Sequence, residues 1–216
     1  MQEEQAVLEF FARPENLPLA LSVAEQTDQL RAQLNSQFWR DLLRHLQTAQ
    51  LGNKADWQIT ATDDRNAPDH LVGLYFTPAV EQPIFLRPMM EQQNLGKGLQ
   101  IYLGLMWSAT PTPEQLALPA VRALRDTLKA SGYKDNESFL AWQWTTLYPR
   151  SQAFLLKYTR RPEQIFAEIE AALDRLMRTH REHISQANAA LGSIPRSMTI
   201  SLDQLRNKRG HQTGLS

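Results

Sequence analysis

The chain has 216 residues, with 23 Lys and Arg balanced by 23 Asp and Glu, five His and no Cys. That length fits one domain, or one domain with an extension, and a hydrophobic fraction of 42% suffices for a single core. Zero formal charge argues against attachment to nucleic acid or anionic lipid by bulk electrostatics. The absence of Cys excludes disulfides, thiolate nucleophiles, iron–sulfur clusters and Cys-ligated zinc.

Absent thiols fit a reducing cytoplasm, and no apolar run approaches the ~18 residues of a spanning helix. Met1-Gln-Glu-Glu-Gln5 lacks the basic start and apolar stretch of a signal peptide. The expectation is a cytoplasmic protein without a membrane partner. Neutrality conceals a gradient: residues 1–110 hold eight basic and thirteen acidic residues, and residues 111–216 hold fifteen and ten. The halves are thus −5 and +5, either cancelling where they pack or leaving one acidic and one basic face.

In chain order, N-terminal helices are predicted within residues 2–50. A short helix over 2–12 carries Val7, Leu8, Phe10 and Phe11, and Pro14 and Pro18 break it. Ser22-Val-Ala-Glu25 matches a capping box. Val23, Leu30, Leu34, Phe38, Leu42 and Leu46 then recur at helical spacing as one buried stripe ending near Gly52. From Trp57 to Trp107 the texture becomes aromatic and β-branched. Trp57–Thr62, His70–Thr77, Pro83–Met89 and Gly98–Trp107 read as four strands of an antiparallel meander.

Thr112 is placed to cap a helix over 112–131, with Pro113 at its first position, Gln115 completing a capping box and a break at Pro119. Residues 139–160 read as a hairpin around a Tyr148-Pro-Arg-Ser151 turn, although Phe139–Leu147 is also compatible with a helix opened by Asp135. A long helix over 162–191, about 45 Å in length, follows from Ile165, Ile169, Leu173, Leu176, His180, Ile184, Ala187 and Leu191 on one face. Residues 192–216 form a basic extension with an apolar island at Met198–Leu205. The fold class is α+β, residues 1–191 making one domain: an antiparallel sheet of four to six strands against two long helices.

Catalytic motifs are few. His180 and His183 are spaced i, i+3, not the i, i+4 of the zinc-protease motif, and His180 lies on the buried stripe. Asn94-Leu-Gly-Lys-Gly98 opens a strand and is no phosphate loop. Asp63, Asp64, Asp69 and His70 crowd one inter-strand segment, where carboxylates can bind a divalent cation or simply favour turns. They carry the alternative reading, a metal-dependent hydrolase or nuclease. No cofactor is expected.

The strongest constellation is aromatic and basic: Trp142, Trp144, Tyr148, Arg150, Lys157, Tyr158, Arg160 and Arg161. Aromatic platforms flanked by Arg can stack bases or anchor a protein, and buried Trp is the competing reading. Arg175, Arg178 and Arg181 form a second basic stripe that Arg206, Lys208 and Arg209 extend, diluted by Glu168, Glu170, Asp174 and Glu182.

Gln37-Phe-Trp-Arg-Asp-Leu42 before a meander, then a helix, then Gly132-Tyr-Lys-Asp-Asn-Glu137 before a strand and final helix, has a family parallel. Over residues 36–180 this order resembles the small α+β domain of unknown function associated with PD-(D/E)XK-type nuclease modules in bacterial restriction and phage-defence proteins. Pro88-Met-Met-Glu-Gln-Gln93 replaces the acidic segment of that pattern, and the nuclease core is absent. The resemblance implies an accessory or recognition role. The reading is a non-catalytic binding module for a protein or nucleic-acid partner, with its oligomeric state open.

Overall fold

The computed structural model describes residues 2–49, 57–62, 72–79, 82–93 and 99–193. The segment with Asp63, Asp64, Asp69 and His70, the Asn94–Gly98 turn and the tail from residue 194 lie outside them.

Helix α1 (Gln2–Phe11) is followed by α2 (Leu17–Thr48), 32 residues long. The short helix stops before Pro14 as expected, and Pro18 falls in the first turn of α2, which has no use for its missing N–H. Ser22 and Glu25 therefore lie inside the helix, and the capping box expected there does not form. Asn16, at the N-cap, makes no cap bond and donates its amide to the Phe10 carbonyl at 2.9 Å, tying the two helices together.

The sheet is a five-stranded antiparallel meander in the order β1 (Trp57–Ala61), β2 (Val72–Pro78), β3 (Leu86–Gln92), β4 (Ile101–Trp107), β5 (Phe139–Trp144). The α+β expectation holds, with a strand count inside the expected range. Side chains alternate between faces. Leu86, Met90 and Gln92 share the face beneath the helices, where the Trp39 indole N–H donates to Gln92 Oε1 at 2.9 Å. Tyr75, Met89, Glu91, Tyr102, Trp142 and Trp144 share the opposite face.

Between β4 and β5 come α3 (Pro113–Ala117) and α4 (Pro119–Ala130). The capping box forms as expected: Gln115 N–H donates to Thr112 Oγ1 at 3.3 Å and Thr112 N–H to Gln115 Oε1 at 2.8 Å. Leu118, extended before Pro119, divides the two helices. Gly132, at φ +89°, closes α4 in a left-handed conformation that suits glycine.

The expected hairpin is half right. The turn forms, with Ser151 N–H donating to the Tyr148 carbonyl at 2.9 Å, but a helix follows, α5 (Gln152–Arg160). Ser151 caps it by accepting from Phe154 N–H at 3.2 Å, and Phe154, Leu155 and Tyr158 bury at helical spacing. The long helix expected over 162–191 is two: α6 (Pro162–Thr179) and α7 (Arg181–Gly192), divided at His180. Neither Pro nor Gly marks the break.

Phe38, Trp39, Leu42 and Leu46 of α2 are buried with Phe154, Phe166 and the sheet in one core. His45 lies 2.8 Å from Glu170 Oε2, joining α2 to α6. No helix among the described residues is long and apolar enough to cross a membrane.

Candidate interaction surfaces

β5 is an edge strand, and its register places Trp142 opposite Gly104 and Trp144 opposite Tyr102. A Cβ on Gly104 would lie 2.0 Å from the Ala141 carbonyl oxygen, so the close approach of β4 to β5 requires glycine. The Trp142 and Trp144 rings meet edge-on at 5.4 Å, and both contact Tyr102. The Lys134 ammonium lies 5.7 Å from the Trp142 ring, within cation–π range. Trp142 is half-buried, while Trp144 is 37% and Tyr148 46% exposed. The pair is thus core at one end and surface at the other.

Helix α5 divides the rest of the expected aromatic–basic cluster. Tyr158 turns inward, where its hydroxyl donates to Asp41 Oδ2 at 2.7 Å. Burial, then the hydrogen bond and charge of Asp41, push its pKa well above the ordinary tyrosine value. Lys157 is paired with Glu168 at 3.3 Å. Arg150 and Arg160 are exposed, on the turn and at the end of α5.

The basic stripe is not continuous. Arg175 and Arg178 lie on α6, but the break at His180 puts Arg181 on α7. Arg178 is paired with Asp174 at 3.0 Å. Burial, and secondarily the charge of His183, lower the His180 pKa. Among the described residues no group of three or more His, Cys, Asp or Glu gathers to hold a metal ion.

Two features escaped the sequence reading. On the sheet face away from the helices, Glu91 is fully buried and accepts from the Tyr75 hydroxyl at 2.6 Å and from the Tyr102 hydroxyl. The Arg87 guanidinium lies 4.5 Å from the Tyr75 ring. Side chains from three adjacent strands thus seat one carboxylate.

The second feature is an apolar arm. Of the thirteen exposed large apolar side chains among the described residues, nine lie between Val7 and Leu30, each 40–64% exposed. The stripe predicted along α2 is in fact two. Phe38, Trp39, Leu42 and Leu46 dock on the core, whereas Leu19, Val23 and Leu30 face solvent on another side of the same helix. At 1.5 Å per residue the exposed part, residues 17–33, runs for about 25 Å. The clue in the sequence was Asp28 and Arg31, which interrupt the core-facing side one turn before Asn35.

Comparison of the chain with known protein families, curated proteins and solved structures gave no match.

Proposed function

We propose that the chain is a non-catalytic binding module whose contact surface is the N-terminal arm formed by α1 and the first half of α2. The observation that carries this reading is the concentration of exposed large apolar side chains between Val7 and Leu30. Patches of this kind mark interaction sites, because their exposure to water is a standing cost that a partner removes. Six acidic residues against Arg13 alone lie between residues 2 and 30, which suits a protein partner and repels phosphate. The restriction or phage-defence setting rests on the resemblance over residues 36–180, and the binding role does not depend on it.

A nucleic-acid contact at Trp144, Tyr148 and Arg150 is the second reading, favoured by the exposed rings beside an exposed cation. Crosslinking from the native lysate with Val23→Glu/Leu30→Glu and Trp144→Ala variants separates the two. Loss of the crosslinked partners in the arm variant alone supports the arm. Loss in the Trp144→Ala variant alone overturns it in favour of the sheet edge, and full retention in the arm variant also overturns it.

A further inference from the structure

We infer that the partner of the arm is a second copy of this chain, the two α2 helices packing antiparallel about a two-fold axis. This rests on the arm being a contact surface and names what it contacts. Ala20, Val23, Thr27, Leu30, Leu34 and Gln37 follow at alternating three- and four-residue intervals, the spacing of a coiled-coil seam. Val23, Leu30 and Gln37 lie on a different side of α2 from the core-docked Trp39 and Leu42, while Leu34 sits between the two stripes and packs partly against the core.

The seam is complementary to itself when reversed. With the axis between Asp28 and Gln29, Val23 meets Leu34 of the second copy and Thr27 meets Leu30, each pairing occurring twice. An interface of this kind closes at two subunits. Charge selects the same direction. Residues 2–30 are acidic as described, while residues 31–48 carry three Arg against Asp41 alone. Antiparallel packing brings the acidic N-terminal stretch as a whole towards the Arg-bearing second half of α2 in the second copy, with Glu15 opposite Leu42 between Arg40 and Arg44 and only Arg13 meeting a like charge, whereas parallel packing stacks like charge on like throughout.

The far end of the seam runs into a cavity of about 550 Å³ between α2 and the α5–α6 pair, lined by Leu34, Gln37, Asp41, His45, Tyr158 and Phe166. The reversed register places Ala20 and Asn16 of the second copy opposite Gln37 and Asp41 of that lining. Of the nine exposed apolar side chains, Val23 and Leu30 lie on the seam itself and Leu17 and Leu19 flank it.

The chain has no Cys, so introduced thiols report the register directly. Light scattering on the full chain is expected to give twice the monomer mass. Mixing Thr27→Cys and Leu30→Cys proteins under oxidation is expected to link one to the other, with little Leu30→Cys self-linkage. Leu30→Glu, on an exposed position, should leave the far-ultraviolet spectrum unchanged and weaken association at least tenfold. Efficient self-linkage of Leu30→Cys shows a parallel pair and overturns the inference. A monomer at every concentration also overturns it. If the Val23→Glu/Leu30→Glu variant then loses a different crosslinked protein, the arm reading stands without self-association. If it loses nothing, both fall.

Discussion

The side-chain amide of Asn188 in α7 closes on the backbone of Leu86 in β3 from both ends, accepting from its N–H at 2.7 Å and donating to its carbonyl at 3.0 Å. The β2–β3 register runs from Val72–Gln92 to Tyr75–Met89 and stops there. The next position on β3 is Pro88, which has no N–H to offer β2. Leu86, beyond it on the same side, would be left with unpaired backbone groups. One amide from the last helix substitutes for a strand. Asn188→Ala removes both bonds in a buried site and is expected to cost about 2–4 kcal/mol of stability, read from the urea midpoint. Asn188→Asp keeps the acceptor but sets a carboxylate oxygen against the Leu86 carbonyl in a buried site, and should cost at least as much as Asn188→Ala.

Asn35 gives the opposite expectation. It is fully buried on α2, and neither end of its amide finds a hydrogen-bond partner among the described residues. Replacing such a group by an apolar one of similar volume removes a desolvation penalty. Asn35→Leu should raise stability by about 1–2 kcal/mol, and an unchanged or lower denaturation midpoint would contradict this account of the site.

Gly104→Ala forces a methyl group against the Ala141 backbone and must push β5 away from β4. A loss of roughly 2 kcal/mol or more is expected, as for overpacking in a closed core. Because Trp142 and Trp144 ride on β5 and contact Tyr102, the near-ultraviolet circular dichroism should change as well. A stability change without that spectral change would show that the sheet edge had not moved.

Acid should act through His180. Its folded pKa lies below the ordinary value of 6.5, chiefly because burial penalises the imidazolium. Between that value and the lower folded pKa the unfolded chain binds more proton than the folded one. The stability associated with neutral His180 is present above about 6.5 and is lost as pH falls through this window. His180→Gln, which does not titrate, should flatten that part of the stability–pH curve. An unchanged slope would assign the acid sensitivity to other groups.

The order of strands and helices was largely legible in the sequence, because alternation and helical period are local signals. Thr112, Pro113 and Gln115 even fix a helix start to the residue. The errors have physical causes. Gln152–Arg160 carries aromatic residues that suggest a strand, yet Ser151 as cap and the spacing of Phe154 and Tyr158 carry the helix. The break at His180 has no local marker; α7 is positioned by packing on α4 and by Asn188 reaching β3. At the candidate surface, the adjacency of Trp142 and Trp144 followed from strand alternation. The exposure of the arm did not, since Val23 and Leu30 fit a core stripe as well as a surface one until tertiary contacts decide.

Helix α2 has no Gly or Pro after Pro18, and its second half is clamped between the sheet and α5–α6. A free helix of the arm's length would be marginal in water, but here the docked turns serve as its nucleus. The arm is consequently a cantilever, not a tether. A flexible linker gives reach, whereas this geometry gives aim: whatever grips the tip is held at a set angle and distance from the sheet.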